Sequence, residues 1–533
     1  MMPQYPKKTL PIICTLAIAL AANFGTGCAR KASTAHGTMN LRLSGEPNLL
    51  NPILTTDAYS AQVVGTIFSG MLKVNEKLEL EPDLAESYKI SSDGKTYIFK
   101  LKHNVTWHDG VPFTANDVVF TFNTIIDPKT NTVRRSNYVI KGKPIRFTAV
   151  DSYTVKAELP EPFAPFLLSA AAEIIPKHLL DHSDINTASF NRKPIGTGPF
   201  KFKSWKAGQH IIVVKNPSYY GKPPQLDRII FKPISDYNAG KIAIIKGDID
   251  EFDVNPQDLD EMKKIRHLSL YEYDQLQYSF VGFNLKNRHL KDINVRQAIA
   301  YAVDRKAIVD AVLKGHGTVA DVPISPVSWA YPTGNAITRY DYAPTKSAAL
   351  LERAGYKKNT RGIYEKEGSE LAFTIIYGQG GKASPKNAEI IQSALGKIGI
   401  KLTIVPMEWQ SFLRIVNSGK DPKTFDLCML SWSLSPDPDD YSIWHSSEYP
   451  KGFNFIGYSN PKVDGLLTRG RTVNNHTQRA QIYAEASALI GRDLPYLFLY
   501  YPRTISAVNQ RIHGLSKPGP AGLFVRIEGI SAD

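Results

Sequence analysis

Three short apolar segments in the last third of the chain constrain its fold more than any other feature. Residues 371–377 (LAFTIIY) and 401–407 (KLTIVPM) have the length and composition of strands, and Ser384–Lys397 between them predicts a helix. This order indicates parallel strands joined by a crossover helix. The third segment, Phe425–Trp432, is too short for a helix and predicts another parallel strand, buried on both faces. The sequence therefore predicts an α/β fold.

The residues after this last strand change abruptly in character. Ser433–Tyr441 contains two prolines, three aspartates, two serines and a tyrosine, which is typical of a rigid loop, and Trp444 and His445 follow. Open α/β sheets build ligand sites where buried strands end in such loops. We therefore expect a ligand site at this end of the sheet, and a surface turn after an edge strand is the competing interpretation.

The N-terminus has the features of an export signal. Lys7 and Lys8 precede an apolar segment, Leu10–Ala22, which is too short to span a bilayer, and small residues then lead to Cys28. This arrangement resembles a bacterial lipoprotein signal, in which the cysteine is lipidated and becomes the mature N-terminus. We predict a protein of the periplasm or cell surface, anchored to a bacterial membrane through lipid on Cys28, with simple secretion as the alternative.

Length, cysteine usage and charge exclude several classes of function. A chain of 533 residues is too long for one core, so two or three domains are expected. With Cys14 in the signal and Cys28 lipidated, Cys428 is left alone, which excludes a disulfide or a thiolate metal cluster in the mature chain. The net charge of +14 comes from scattered basic residues, which favours an anionic membrane surface over nucleic acid as a neighbour.

A series of motifs begins within Asp83–Phe122. Asp93 and Gly94 join two alternating runs into a predicted hairpin, and Thr114 predicts the N-cap of a helix. Further motifs follow: PIGTGPF at 194–200, NPSYY at 216–220, DINVRQAIAYAVDR at 292–305, YAP to AGY within 342–356, and the segments 460–467 and 493–501. Over about 38–515 these residues resemble the family-5 extracytoplasmic solute-binding proteins, the peptide and nickel receptors of ABC importers.

The resemblance implies a two-lobed α/β fold like that of periplasmic binding proteins (type II, cluster C), with three domains and a ligand cleft between the lobes. Lobe 1 would hold domains I and II, and lobe 2 domain III. The implied boundaries are: signal peptide 1–27; linker 28–37; domain I 38–74, 191–284 and 487–533; inserted domain II 75–190; domain III 285–486.

The resemblance also implies the function. The chain would be a substrate-binding protein rather than an enzyme, without a cofactor, that captures a small solute, an oligopeptide, and delivers it to the permease subunits of an ABC transporter. A receptor for a metal chelate or an oligosaccharide is the alternative, and an exported enzyme using the same cleft is a further one.

Two patterns suggest other chemistry without completing it. Gly378–Ala383 fits the G-x-G-x-x-A dinucleotide motif, but no acidic residue lies about 20 positions on, near Thr403, so we interpret it as a glycine-rich turn. His178 and His182 have a helical spacing that suits a metal, but no third ligand is nearby. Hydrolase motifs are also missing from the sequence. We predict no catalytic residue and no metal site.

The resemblance places the ligand near Trp432, but the charged groups of known peptide receptors are missing. Ser435 occupies the position of the aspartate that binds the peptide ammonium group. Met429 and Val416 occupy the positions of arginines that bind the carboxylate, and Arg414 lies close by. Aromatic faces and hydroxyl groups remain for a ligand held by shape and backbone hydrogen bonds. The predicted ligand-binding residues are Trp432, Ser433, Leu434, Ser435, Trp409, Tyr377, Tyr278 and Arg414.

Overall fold

The structure, a computed structural model, describes residues 37–379 and 383–533. The predicted signal peptide, Cys28 and nearly all of the linker lie outside these ranges, as do residues 380–382 of the glycine-rich turn. Within the described ranges no helix has both the length and the apolar character needed to cross a membrane.

One mixed sheet forms the backbone of the molecule. In the described residues it has twelve strands, and two of them, Leu268–Asp274 and Gly317–Val319, pair beside the main path. The order along the main path is Phe200–Lys206, His210–Lys215, Arg228–Pro233, Thr38–Leu43, Glu251–Asp253, Tyr496–Asn509, Gln277–Phe283, Leu427–Ser433, Ala372–Gly378 and Lys401–Met407.

The strand Tyr496–Asn509, here called the crossing strand, belongs to both lobes. Its first half pairs with Gln277–Phe283, and its second half pairs with Leu268–Asp274. The chain therefore changes lobes at residues 275–276 and again near the middle of the crossing strand. The sequence prediction placed these connections near 284 and 487, and residue 487 lies inside the helix His476–Asp493. The difference arises because Gln277–Phe283 is hydrogen-bonded to the lobe 2 strand Leu427–Ser433.

The predicted α/β arrangement in lobe 2 is confirmed. Ala372–Gly378 and Lys401–Met407 are parallel neighbours, joined by the helix Ala383–Ile398. Leu427–Ser433 lies parallel to Ala372–Gly378 and antiparallel to Gln277–Phe283. Burial on both faces holds for only the first three residues of Leu427–Ser433. Beyond Met429 the strand is paired only with Gln277–Phe283, and its residues alternate between partly buried and exposed.

The segment predicted as domain II, residues 75–190, keeps this name below and contains a four-stranded antiparallel sheet, in the order Ala85–Ile90, Thr96–Leu101, Thr154–Glu158, Arg146–Asp151. The predicted hairpin joins the first two strands. The helix Ala115–Ile126 begins at Thr114, whose side chain accepts from the N–H of Asn116 while Asp117 accepts from the N–H of Thr114. This reciprocal capping satisfies N–H groups that a helix terminus leaves open.

Six of the remaining helices in the described residues begin at an aspartate or asparagine whose side chain caps the first turn: Ala58–Ile67, Tyr237–Lys246, Ile293–Ala302, Arg305–Leu313, Pro461–Thr472 and His476–Asp493. The others are Phe166–Ser169, Lys177–Leu180, Leu259–Met262, Pro344–Arg353, Trp409–Val416 and Tyr441–Trp444. Short strands pair in small separate sheets: Leu72–Val74 with Leu80–Pro82, Val139–Ile140 with Lys143–Pro144, Ile512–His513 with Ser531–Ala532, and Lys357–Lys358, Tyr364–Lys366 and Ser369–Glu370 together.

His108 connects domain II to the GTGP turn of domain I. Its Nδ1 accepts a hydrogen bond from the N–H of Gly196 (3.2 Å), so its Nε2 donates to the carbonyl of Gly198 (3.0 Å). The two glycines are required by packing, since a Cβ atom at either position would collide with the backbone of Ile67. Burial of the ring lowers the pKa of His108 to about 4.

This lowered pKa predicts a loss of stability in acid. Between about pH 6.5 and pH 4 the unfolded chain binds a proton at His108 that the folded chain does not. The free energy of unfolding should therefore fall as pH falls through this window, by up to about 1.4 kcal/mol per pH unit. In His108→Gln this part of the slope should disappear in urea denaturation between pH 4 and 7. The exposed His182→Gln serves as control and should keep the wild-type slope, and an unchanged slope in His108→Gln would contradict the prediction.

Candidate ligand-binding cleft

A cavity of about 1310 Å³ lies between the two lobes. Domain II of lobe 1 contributes one wall, which includes Arg134, Tyr138 and Glu173, and lobe 2 contributes the other, which includes Ser435 and Phe453. Pockets for small molecules usually measure about 300–1,000 Å³. The cavity can therefore hold an extended ligand that touches both lobes at once.

The lobes contact each other at the rim of this cavity. The backbone N–H of Ala164 in lobe 1 donates to the carbonyl of Arg471 in lobe 2 over 2.7 Å. The Arg471 guanidinium group also lies 5.6 Å from the centre of the Phe163 ring, and the Tyr97 hydroxyl donates to Asn474 Oδ1 over 3.3 Å. These contacts join domain II to the helix Pro461–Thr472 and the residues just after it, so the structure shows the lobes closed.

Ser435 and Trp432 have different places in the site. Ser435, one of the predicted ligand-binding residues, lines the cavity. The half-buried Trp432 ring instead packs against Phe280 and Phe455, with ring centres 6.3 and 6.1 Å away, and touches Phe453 edge-on at 5.7 Å. Phe453 lines the cavity and is 49% exposed. Trp432 therefore supports an aromatic residue of the wall rather than forming the wall itself.

Tyr278 and Tyr377 are buried in hydrophobic clusters on the sheet of lobe 2. Tyr278 is completely buried and packs against Phe498 at 5.6 Å between ring centres, and burial raises its pKa well above the ordinary value. Tyr377 packs among the residues of its own cluster. Their position corrects the expectation that these rings present faces to a ligand. Side chains alternate between the two faces of a strand, and helices and loops cover both faces here.

The other predicted residues surround the end of the sheet without lining the cavity. The half-exposed Trp409 ring stacks on Phe412, 5.7 Å between centres, and lies so close to Gly378 that a Cβ atom there would collide with it. That contact explains the first glycine of the glycine-rich turn. Arg414 is exposed and donates to Ser411 Oγ over 2.7 Å. Ser433 is exposed, and Leu434 is half-buried, with its N–H bonded to the carbonyl of residue 276.

Two ion pairs hold the aspartate-rich loop Ser433–Tyr441 against other residues of lobe 2. Asp437 accepts two hydrogen bonds from Arg479, at 2.7 and 2.8 Å, and Asp439 accepts from Arg471 Nε at 2.8 and 3.0 Å. Burial raises the pKa of Asp439 although Arg471 opposes the shift. The pKa of Asp440 is raised further by burial and by the two neighbouring carboxylates. Asp437 and Asp439 thus hold the loop through ion pairs.

Several cavity residues were not predicted from the sequence. Arg134 and Glu173 come from domain II, and Glu448, Lys451 and Phe453 come from the segment after the short helix Tyr441–Trp444. None of them belongs to a motif, and only the closure of the lobes brings the two groups together. The sequence indicated Phe453 only weakly as a site residue, because it is an aromatic residue beside a glycine in a polar segment.

Known proteins resemble this chain along most of its length. Residues 79–453 match the family model described as bacterial extracellular solute-binding proteins, family 5 Middle. The oligopeptide-binding protein AppA of Bacillus subtilis (strain 168) is 35% identical over 520 residues, which cover 95% of each chain.

Solved structures show the same fold. AppA from Bacillus subtilis in complex with a nonapeptide superposes with a TM-score of 0.77 at 35% identity, over 93% of this chain and 99% of that one. NikZ from Campylobacter jejuni in complex with Ni(L-His) has a TM-score of 0.77 at 31% identity, with the same coverage.

Proposed function

Because the chain belongs to the family 5 bacterial extracellular solute-binding proteins, we propose that it is the substrate-binding component of an ABC importer and captures oligopeptides between its lobes for delivery to the permease. Family membership confirms the resemblance seen in the motifs. Proteins of this family bind substrates rather than convert them, and they act outside the cytoplasm. The observation that carries the proposal is the cavity of about 1310 Å³ with walls from both lobes.

The geometry supports a binding cycle based on closure. The lobes are connected through the crossing strand and residues 275–276, where small backbone rotations can open and close the cleft. A ligand contacts both walls only when the lobes are closed, so its binding shifts the population toward the closed form. The hydrogen bond from Ala164 to Arg471 joins the lobes in the same form. The permease would thus receive a closed, loaded receptor.

An oligopeptide fits this cleft better than a single amino acid. The cavity is larger than most small-molecule sites, and its wall combines the Ser435 hydroxyl with the Phe453 ring. A peptide held mainly through its backbone would be bound with loose preference for its side chains. The similar AppA was solved with a nonapeptide.

The experiment is native mass spectrometry of the protein incubated with a defined mixture of di- to nonapeptides. We expect peptides to be retained by the protein and every peptide to be recovered with unchanged mass. The same mixture incubated without protein is the control. Products of new mass would contradict a receptor and favour an exported enzyme, and retention of no peptide would contradict an oligopeptide ligand.

A metal chelate is the second candidate ligand, because the chain is also 31% identical to NikZ, which was solved with Ni(L-His). Native mass spectrometry of protein purified from its own host without added ligand separates the two candidates. Retained metal with a small chelator would favour the chelate, and retained peptides would favour the first proposal.

The N-terminal signal supports a lipid anchor on Cys28, which we propose together with export. Stable attachment to a membrane needs more than one acyl chain, and a diacylglycerol thioether plus an N-acyl group supplies this. Cys28→Ala should move the protein from the membrane to the soluble fraction on cell fractionation without changing its ligand affinity. Cys14→Ala, inside the predicted signal, is the matched control and should stay with the membrane. Membrane attachment that survives in Cys28→Ala would favour simple secretion with a different membrane contact.

A further inference from the structure

We propose that Arg134 binds a carboxylate group of the ligand, an inference that rests on the proposed function and names the chemical group that the cleft selects. Arg134 begins the short 3₁₀ helix Arg134–Asn137 of domain II, and its backbone N–H donates to Thr132 Oγ1 over 3.1 Å. This turn presents the side chain to the cavity. The resemblance led us to expect carboxylate-binding arginines in lobe 2, but Met429 and Val416 occupy those positions. We therefore assign this role to Arg134 in lobe 1.

Within the described part of the chain, the guanidinium group of Arg134 makes no hydrogen bond or ion pair with the protein, unlike that of the adjacent Arg135. Its Nε atom is buried and makes no hydrogen bond within the described residues. The adjacent Arg135 donates instead to three backbone carbonyls, those of Ile126, Asp127 and Thr130, at 3.2, 2.6 and 2.7 Å. Arg135 therefore stabilises the turn, whereas the Arg134 side chain lines the cavity.

The other arginine of the cavity wall is already neutralised. Arg471 is paired with Asp439, and Arg479 behind it is paired with Asp437. Lys141 at the same cavity is paired with Glu161 and is largely exposed. Glu173 lines the wall with Arg134, but the described structure contains no ion pair between them. Lys451 also lines the cavity, but it is exposed to solvent. Among the described residues, Arg134 is therefore the partly buried cation of the cavity that still requires an acceptor.

The chemistry of the acceptor follows from the shape of arginine. A buried N–H group is nearly always hydrogen-bonded in a native protein, so a ligand atom is expected at Nε. The planar guanidinium fork matches a carboxylate through two parallel N–H···O bonds. A peptide offers this group at its C-terminus or on an acidic side chain. The structure favours a ligand carboxylate at Arg134, and the experiment below separates its two sources.

The experiment measures dissociation constants by isothermal titration calorimetry for three nonapeptide mixtures. The first has free C-termini and contains no Asp or Glu, the second is its C-terminally amidated copy, and the third is amidated but carries one Glu per peptide. The proteins are the wild type, Arg134→Gln and the control Arg146→Gln. Arg146 is an exposed arginine in a strand of the same domain, outside the cavity wall.

We expect the wild type and Arg146→Gln to bind the first or the third mixture roughly 10- to 100-fold more tightly than the second. Arg134→Gln should lose this difference while still binding the amidated mixture. If only the first mixture binds more tightly, the carboxylate at Arg134 is the peptide C-terminus. If only the third mixture binds more tightly, it is an acidic side chain.

Two results would overturn the proposal in distinguishable ways. Equal binding of all three mixtures by the wild type, or a preference that persists in Arg134→Gln, would overturn the role of Arg134 and leave the oligopeptide receptor standing. Failure of the wild type to bind any mixture would overturn the oligopeptide function and the carboxylate assignment with it.

Discussion

Asp437→Ala should lower the free energy of unfolding by about 3–5 kcal/mol, because it leaves a buried arginine without its counter-ion. The Arg479 side chain is 7% exposed and the Asp437 side chain 14% exposed, and the two form a pair of hydrogen bonds at 2.7 and 2.8 Å. The remaining contacts of Arg479, to the carbonyl of Gly470 and the hydroxyl of Tyr483, carry no full negative charge. Urea denaturation followed by tryptophan fluorescence measures the loss.

A surface ion pair between the helices Pro461–Thr472 and His476–Asp493 provides the control. Lys462 and Glu485 are 2.7 Å apart, and both are well exposed. Glu485→Ala should change the free energy of unfolding by less than about 1 kcal/mol, since water screens and solvates exposed charges. A loss in Asp437→Ala no greater than that in Glu485→Ala would show that Asp439 or water replaces the missing carboxylate.

Trp432→Ala should lower the free energy of unfolding by about 3 kcal/mol, because it removes a ring packed against Phe280 and Phe455. Phe453→Ala should behave in the opposite way. Its ring is 49% exposed and lines the cavity, so its removal should weaken peptide binding by about 1–3 kcal/mol with little loss of stability. Urea denaturation and calorimetric titration with peptide, applied to both variants, separate a supporting residue from a residue of the wall.

Tyr342→Ala is the matched control for Phe453→Ala. Tyr342 is an exposed aromatic residue of lobe 2, 52% exposed, that lies outside the wall of the cleft. Its removal should leave both stability and peptide affinity nearly unchanged. If Trp432→Ala instead weakens binding without loss of stability, the Trp432 ring contacts the ligand directly, as the sequence alone suggested.

The comparison of Trp432 with Tyr278 shows why site residues are harder to predict than folds. Both residues lie on paired strands of lobe 2 and stand opposite each other in the register. Their aromatic character suited a ligand site, and directly paired residues project from the same face of a sheet, so the face does not distinguish them. Tyr278 is buried because the crossing strand flanks its strand on the other side, whereas the pairing of Leu427–Ser433 with Ala372–Gly378 ends at Met429, before Trp432.

The sequence alone determined the α/β class, the strand–helix–strand unit of lobe 2, the helix caps and the family. It also predicts the export signal. These features depend on residues close together in the chain, whose periodicity, turn chemistry and capping are set by local backbone geometry. The tertiary structure decided which groups meet in the cleft. Arg134 and Phe453 are far apart in sequence and lie on opposite walls of the cleft. No local sequence pattern can therefore predict that they line the same cavity. Only the closed arrangement of the two lobes brings them together.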